Sequence, residues 1–152
     1  MNDHYIIDAN LLFSAIISGK ELYQDLVLNN KFYSPDFCLT EINKYEENIL
    51  KKTKLSDEKL KDFTLLLFSN ITIVPRFLIS NESIMKAFKL CKDIDPNDTI
   101  YLALSIEFNL PLITRDKKLK NALLDKGYSH VIAFSDFVDE FTEENKGNWE
   151  NI

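Results

Sequence analysis

The sequence predicts an α/β fold, a three-layer α/β/α sandwich around a central, mainly parallel sheet of four to five strands. Short apolar runs rich in Ile and Val alternate along the chain with longer segments whose apolar residues recur at helical spacing. The length of 152 residues fits one ordinary domain, and a composition of 45% hydrophobic and 28% charged residues is typical of globular proteins. These observations exclude a disordered or collagen-like chain.

Residues 1–75 are predicted to contain three strands and four helices. Gly19 separates the first two helices, because glycine interrupts a helical pattern. Pro35 begins the third helix, since its fixed φ suits the first helical position. Ser56 and the acids after it begin the fourth. In chain order, these elements are strand 5–7, a helix through 11–16, a helix through 22–30, strand 32–34, helix 35–52, helix 56–69 and strand 71–74.

Residues 76–152 are predicted to add three helices, two strands and a short C-terminal helix. Gly127 ends the last full helix, because glycine readily adopts the left-handed conformation at a helix end. In chain order, these elements are helix 84–91, helix 96–108, strand 112–114, helix 115–126, strand 131–134 and the short helix 137–141. We therefore predict one domain over residues 1–135, followed by a short acidic C-terminal helix and tail over residues 136–152.

The charge of the chain is unevenly distributed. It carries 24 acidic and 18 basic residues, a net charge of −6 at pH 7, which as a whole argues against non-specific binding to nucleic acid or to an anionic membrane. Residues 136–152, however, hold six acids and one lysine, whereas residues 1–135 hold 18 acids and 17 basic residues. The body of the protein is therefore nearly neutral and remains compatible with nucleic-acid binding.

The sequence carries no sign of export or membrane insertion. The N-terminus lacks a basic segment followed by an apolar one, and no run of 18 apolar residues occurs. Cys38 and Cys91 lie in apolar helical contexts without CxxC spacing, which disfavours both a disulfide framework and a zinc knuckle. We therefore expect a soluble, cytoplasmic protein with no membrane partner.

Four aspartates lie at positions where parallel sheets form ligand sites. Asp8 ends the first strand and Asp116 follows the fourth, while Asp95 and Asp98 lie at the start of the helix before the fourth strand. Carboxylates brought together without a cation would repel and raise one another's pKa, so such a cluster indicates a metal. Because the chain has only two histidines, oxygen-preferring Mg²⁺ or Mn²⁺ is a better match than zinc.

Helix capping is an alternative role for three of these acids. Asp95 before Pro96 fits an N-cap, Asp98 fits the acidic position of a capping box, and Asp116 fits an N-cap of its own helix. Asp8 is different, because a carboxylate at the interior end of a buried strand is costly unless it is paired or bound. The sequence leaves both roles open for the first three.

Glu41 lies on the predicted inward face of helix 35–52. It follows Cys38 by three residues and precedes Tyr45 by four, and residues at these spacings share one helix face. An inward glutamate can extend to solvent, pair with a lysine or join the other acids, and these alternatives stay open.

Four segments, taken in order, resemble those of PIN-domain proteins. They are 6–10 (IIDAN), 35–42 (PDFCLTEI), 95–104 (DPNDTIYLAL) and 112–119 (LITRDKKL), and the resemblance extends from about Tyr5 to Phe134. It implies an α/β/α sandwich and the metal-dependent ribonuclease activity of many family members, a large bacterial subset of which are VapC-type toxins. The stretch after Asp98 is closer to stand-alone predicted PIN proteins than to the Ile-Ala-Ala-Thr-Ala pattern common in VapC toxins.

The resemblance also implies which residues act. The catalytic acids, which would hold Mg²⁺ or Mn²⁺, are Asp8, Glu41, Asp98 and Asp116. The supporting residues are Asn10, Asp95 and Thr114. The predicted RNA-binding residues, which flank the last acid, are Arg115, Lys117 and Lys118. A second basic run consists of Lys51, Lys52 and Lys54, and both runs fit either RNA contact or a solvated helix end.

The leading hypothesis is a metal-dependent endoribonuclease that hydrolyses phosphodiester bonds of single-stranded or looped RNA with a metal-activated water. One form of this hypothesis is the toxin of a type II toxin–antitoxin pair, whose partners would be RNA, a cognate antitoxin and a second copy of the chain. The alternative is a non-catalytic PIN-like module that binds RNA or protein. A phosphotransfer domain is disfavoured, because haloacid-dehalogenase-like phosphatases need a second Asp where Asn10 stands.

Overall fold

A five-stranded parallel sheet forms the centre of the molecule. The computed structural model describes residues 4–149, with side-chain environments for residues 4–146. The strands are β1 (His4–Ile7), β2 (Lys31–Pro35), β3 (Ile71–Val74), β4 (Leu112–Thr114) and β5 (Val131–Ala133). Their spatial order is β3-β2-β1-β4-β5, and every neighbouring pair is parallel. The strands lie where predicted, with ends that differ by at most one residue.

Nine α-helices in the described part of the chain cover both faces of this sheet. They are α1 (Ala9–Ser18), α2 (Glu21–Asn29), α3 (Phe37–Lys44), α4 (Glu46–Lys52), α5 (Asp57–Ser69), α6 (Asn81–Cys91), α7 (Thr99–Phe108), α8 (Lys117–Asp125) and α9 (Phe134–Trp149). Helix α7 packs against β1, β2 and β4, with α6 against α7. Helices α1, α2, α5 and α9 share the apolar interior of the opposite face, where Leu12, Leu26, Leu67 and Phe137 meet. The predicted α/β/α sandwich is confirmed.

The chain reverses its direction across the sheet beside β1. It runs from β1 to β2 and β3 at one edge, and it returns to β4 and β5 on the other side of β1. In open parallel sheets, ligand sites form outside the carboxyl ends of the strands that flank such a reversal. These two strands end at Ile7 and Thr114, so both Asp8 and Asp116 lie at the reversal.

The prediction of one continuous helix over residues 35–52 is wrong. The structure has two helices, α3 and α4, which meet at Tyr45 with φ −104° and ψ 21°. No Gly or Pro marks the break. The local sequence Asn-Lys-Tyr-Glu-Glu contains no strong helix breaker, so it does not predict an interruption. The ring of Phe13 packs edge-on against Tyr45, with centroids 5.4 Å apart, so a contact distant in sequence accompanies the break.

The C-terminal segment is a longer helix than predicted. Helix α9 has 16 residues and begins at Phe134, which the sequence places at the end of a strand. Its first turns join the core through Phe137, and the side chains of Thr142 and Asn145 bond to backbone carbonyls one turn earlier. The boundary between residues 135 and 136 falls within this helix, so the division into domain and tail stays a prediction. The end of the predicted tail, residues 150–152, lies outside the described residues.

The interior is apolar and contains both cysteines. Cys38 and Cys91 are buried free thiols. The aromatic residues Tyr23 and Phe63 are buried as well. None of the helices between residues 4 and 149 combines the length and apolar character that a membrane span requires.

Candidate active site

Asp8 is the single residue between β1 and α1, and only 6% of its surface is exposed. Its Oδ1 accepts a hydrogen bond from the Leu11 N–H at 2.9 Å, which caps the helix. Burial raises the pKa of Asp8 to about 6, although the Leu11 hydrogen bond opposes the rise. The negative charges of Glu41 and Asp116 raise this pKa further. Asp8 is therefore coupled electrostatically to two of the predicted acids.

Asp116 caps α8 in the same way. Its Oδ1 accepts from the Leu119 N–H at 3.0 Å, and its own N–H donates to Thr114 Oγ1 at 3.0 Å. Thr114 is buried at the end of β4, so it holds the backbone of Asp116 against the sheet. The capping role predicted for Asp116 is confirmed, and one oxygen of its carboxylate remains outside the cap.

Asp95 and Asp98 have different environments. Asp95 Oδ1 accepts from the Asn97 N–H at 3.0 Å and caps a 3₁₀ turn, Pro96–Asp98. The side chain of Asp98 makes no capping bond at the start of α7, and the Asp95 N–H donates to the Cys91 carbonyl, so the capping-box alternative for Asp98 is not found. Burial raises the pKa of Asp98 to about 7, and the charge of Asp95 adds the next largest contribution. Smaller contributions come from Asp8, Asp116 and Glu41.

Glu41 extends from α3 and is held by a tyrosine. The Tyr101 hydroxyl donates a hydrogen bond to Glu41 Oε1, and Tyr101 lies one turn after Asp98 on α7, with 3% of its surface exposed. Burial raises the pKa of the Tyr101 hydroxyl, and the Glu41 carboxylate adds to this rise, so the hydroxyl stays a donor. The sequence patterns do not predict this contact. The available signal is a lone tyrosine in a mainly apolar helix, three residues after a candidate acid.

A cleft of about 370 Å³ brings together five of the seven predicted catalytic and supporting residues. Its carboxylate part is lined by Asp8, Asn10, Glu41, Asp95, Asn97, Asp98 and Tyr101. Its remaining part, which we name the α1–α4 face, is lined by Phe13, Ile17, Tyr45, Asn48 and Lys52. Thr114 and Asp116 do not line the cleft, although the charge of Asp116 raises the pKa of both Asp8 and Asp98.

The donor set has the chemistry that a hard divalent cation prefers. Asp8 and Asp116 each use one oxygen for a helix cap, so each keeps a second oxygen for a ligand. Repulsion among the acids would be relieved by a bound cation. Within residues 4–146, no three acidic, histidine or cysteine side chains form a ready-made ion site. Electrostatic coupling, and not preformed coordination, therefore links the four acids.

The guanidinium of Arg115 contacts side chains of three helices of the same chain. Its Nη1 donates to Ser14 Oγ at 2.9 Å and its Nη2 donates to the Tyr23 hydroxyl at 3.0 Å. The guanidinium also lies 4.9 Å from the centre of the Phe134 ring. These contacts tie β4 to α1, α2 and α9, and the role of Arg115 in RNA binding stays a prediction.

Three lysines near the site differ in their position. Lys117 and Lys118 are exposed at the start of α8 and do not line the cleft. Lys52, at the end of α4, does line it. The basic run at the end of α4 therefore contributes one side chain to the cleft that holds the acids.

Two solved structures share the fold of this chain. The structure resembles a toxin–antitoxin complex from Klebsiella pneumoniae, with a TM-score of 0.55 and 17% sequence identity over 84% of this chain and 95% of that one. It also resembles VapBC2 from Rickettsia felis bound to a DNA fragment from its promoter, with a TM-score of 0.56 and 20% identity over 86% of this chain and 96% of that one. At such identities the likeness shows the fold.

The family assignment comes from the sequence. No curated protein matches the chain significantly. The sequence model of the PIN domain, however, matches residues 6–127, a span that runs from the end of β1 to beyond β4 and includes all four predicted catalytic acids. Because this match covers most of the chain, the protein belongs to the PIN domain family.

Proposed function

We propose that the protein is a ribonuclease that uses Mg²⁺ or Mn²⁺ to hydrolyse RNA phosphodiester bonds internally. The observation that carries this proposal is a cleft at the reversal of the sheet that is lined by three acids from separate chain segments, with a fourth acid electrostatically coupled to it. The acids are Asp8, Glu41, Asp98 and Asp116. A cluster of carboxylates is costly to a fold, and binding of a divalent cation is the function that compensates for the cost.

The four acids would hold the cation, and Asn10 and Asp95, which line the cleft, would support them. When bound, a divalent ion polarises the scissile phosphate and lowers the pKa of a water molecule. Asp8 and Asp98, with pKa values of about 6 and 7, are partly protonated near neutral pH without a cation. Both must lose their protons to act as ligands, so cation uptake should release protons and strengthen as pH rises.

We infer that the substrate is single-stranded or looped RNA, because its backbone can enter a cleft of this size, and that the protein acts in the cytoplasm. One structural neighbour is described as a toxin–antitoxin complex and the other as VapBC2 bound to its promoter DNA, and this supports a cognate antitoxin as a partner of this chain. A second copy of the chain is a further proposed partner. A small gene that overlaps this one upstream would support the pair, and co-purification of its product would test it.

Cleavage of end-labelled structured and unstructured RNA with Mn²⁺ or Mg²⁺ tests the proposed activity. We expect Asp8→Asn and Asp98→Asn to reduce the cleavage rate at least about a hundredfold, because each removes a charge from the cation site. The matched control is Asp125→Asn, a change at an exposed acid outside the cleft, which should cleave like wild type. Thermal unfolding of each variant verifies that the fold is retained.

The outcomes separate the two hypotheses. Equal cleavage by wild type and both cleft variants would refute the site assignment. No cleavage of any RNA, together with RNA retention that does not depend on a metal, would favour the non-catalytic binding module.

A further inference from the structure

The α1–α4 face of the cleft is not used by the chemistry proposed above. It combines one aromatic and one aliphatic side chain from α1, Phe13 and Ile17, with three residues of the α4 segment. These are Tyr45, which directly precedes α4, and Asn48 and Lys52 within it. We propose that this face binds an unpaired nucleobase of the RNA, next to the phosphate that the acids address. The inference rests on the proposed function, because it names the part of the substrate that the same cleft recognises.

The tyrosine ring is both held and accessible. The ring of Phe13 contacts Tyr45 edge-on at 5.4 Å and 87°, which fixes the orientation of the tyrosine. Even so, 42% of Tyr45 is exposed. An aromatic ring that is fixed before binding loses little conformational entropy when a base stacks on it, and stacking of this kind is the common way in which proteins bind unpaired bases.

The break between α3 and α4 gives this face its composition. Because α4 starts directly after Tyr45, the residues three and seven positions later, Asn48 and Lys52, lie on the same side of the helix as the ring. All three line the cleft that also contains Asp8 and Asp98. The tyrosine, the amide and the ammonium group therefore face one volume with the acids.

The two polar side chains are available to a ligand. Within the described residues, neither Asn48 nor Lys52 takes part in a side-chain hydrogen bond or an ion pair. An amide can bond the edge of a base through both a donor and an acceptor, and an ammonium group pairs with phosphate. A ring, an amide and an ammonium beside a carboxylate cluster match one nucleotide that flanks the reacting phosphate.

This arrangement favours single-stranded RNA over a duplex. A base can stack on Tyr45 only when it has left its own stack and pair, which costs energy in a duplex and little in a loop or a single strand. The face therefore predicts a preference for unpaired RNA that does not require the protein to read a long sequence.

Binding of two short fluorescent RNAs tests the proposal. One is a uridylate oligomer, and the other is an abasic oligomer of the same length with the same sugar–phosphate backbone. Fluorescence anisotropy is measured with Ca²⁺ in place of Mg²⁺, and gels confirm that the RNA stays intact. We expect wild type to bind the uridylate oligomer more tightly than the abasic one, because only the first can stack.

The variants separate stacking from charge. Tyr45→Ala should weaken uridylate binding about tenfold and leave abasic binding unchanged, whereas Tyr45→Phe should bind like wild type because it keeps the ring. The control Phe77→Ala removes a ring that is 82% exposed outside the cleft and should change neither affinity. Lys52→Ala should weaken the binding of both oligomers and lower the salt dependence of the affinity by about one phosphate contact. Lys51→Ala, on the same helix but outside the cleft, should do neither.

Three results would overturn the nucleobase site. They are equal affinity of wild type for the two oligomers, unchanged uridylate binding by Tyr45→Ala, and no binding of either oligomer by wild type. The RNA cleavage assay distinguishes this failure from failure of the proposed function. If wild type cleaves RNA but Tyr45→Ala binds the uridylate oligomer normally, only the nucleobase site is refuted. If wild type prefers the uridylate oligomer in a way that depends on Tyr45 but cleaves no RNA, only the nuclease is refuted.

Discussion

The four predicted catalytic acids form two pairs with different local structure. Asp8 and Asp116 follow strands β1 and β4, and each uses one oxygen to cap the helix that begins there. Glu41 and Asp98 lie on the helical side of the cleft, where Asp98 caps nothing and Glu41 accepts a bond from Tyr101. The first pair is therefore fixed by backbone groups, and Glu41 in the second pair is fixed by another side chain.

This difference shows that helix capping and cation binding are compatible roles. A carboxylate has two oxygens, so a cap at Asp8 or Asp116 orients the group and still leaves one oxygen for a ligand. The sequence presents the two roles as alternatives because it shows only the residue type and its position. We therefore expect substitutions of the two capping acids to lower both stability and activity. Substitutions of the other two acids should lower activity and relieve charge repulsion without loss of a cap.

The largest expected effect is at Asp116, where two substitutions separate the cap from the charge. Asp116→Asn and Asp116→Ala should both reduce cleavage about a hundredfold or more, because both remove the charge. Only Asp116→Ala removes the oxygen that accepts from Leu119, so it should lower the free energy of unfolding by about 1 kcal/mol relative to Asp116→Asn. Denaturant unfolding measures the difference, and equal stability of the two variants would contradict a cap at this position.

A smaller effect is expected at Tyr101, which acts through Glu41. Tyr101→Phe removes the hydroxyl that orients the carboxylate and should weaken Mn²⁺ binding about tenfold, as measured by direct titration, with cleavage recovering at high Mn²⁺. The matched control is Tyr128→Phe, which removes a hydroxyl that bonds Ser105 away from the acids. If both variants bind Mn²⁺ like wild type, Tyr101 has a role in packing alone.

The smallest effect is a pH dependence of stability in EDTA. The pKa of Asp98 is about 7 in the folded protein, above its ordinary value of 3.8, so its contribution to stability is fully present below about pH 4 and is lost as pH rises through 7. Asp98→Asn should therefore match the Tm of wild type near pH 4 and exceed it at pH 8 by on the order of 5 °C. Calorimetric scans across this pH range measure both proteins. If ionisation of Asp98 did not destabilise the fold, the Tm of the variant and that of wild type would differ by the same amount at every pH.

The parallel sheet follows from the sequence because its signals are local. The β-branched runs at Ile71 and Val131 are too short for helices, and Gly19 marks a helix end that needs a left-handed backbone conformation. The prediction that Pro35 begins a helix is wrong, because Pro35 is the last residue of β2 and α3 begins at Phe37. Gly127 has φ +87° at the end of α8, as the pattern indicates. The acids at strand ends are predictable for the same reason, since the topology of a parallel sheet brings those ends to one edge.

The features that the sequence does not predict depend on contacts distant along the chain. The break at Tyr45 accompanies a contact with Phe13, and no local breaker marks it. The bond from Tyr101 to Glu41 joins residues 60 positions apart. Helical periodicity places Tyr45 on an apolar face and says nothing about a partner for the Tyr101 hydroxyl, because a tyrosine ring fits an apolar face equally well with or without such a partner.

The connection at Asp8 limits how the length of this chain can vary. Strand β1 ends at Ile7 and helix α1 begins at Ala9, so one residue both leaves the sheet and caps the helix. Each residue inserted there would rotate α1 by about 100° and move its apolar side out of the core. Insertions and deletions should therefore be excluded at this junction and accumulate instead in segments such as 53–56, between α4 and α5.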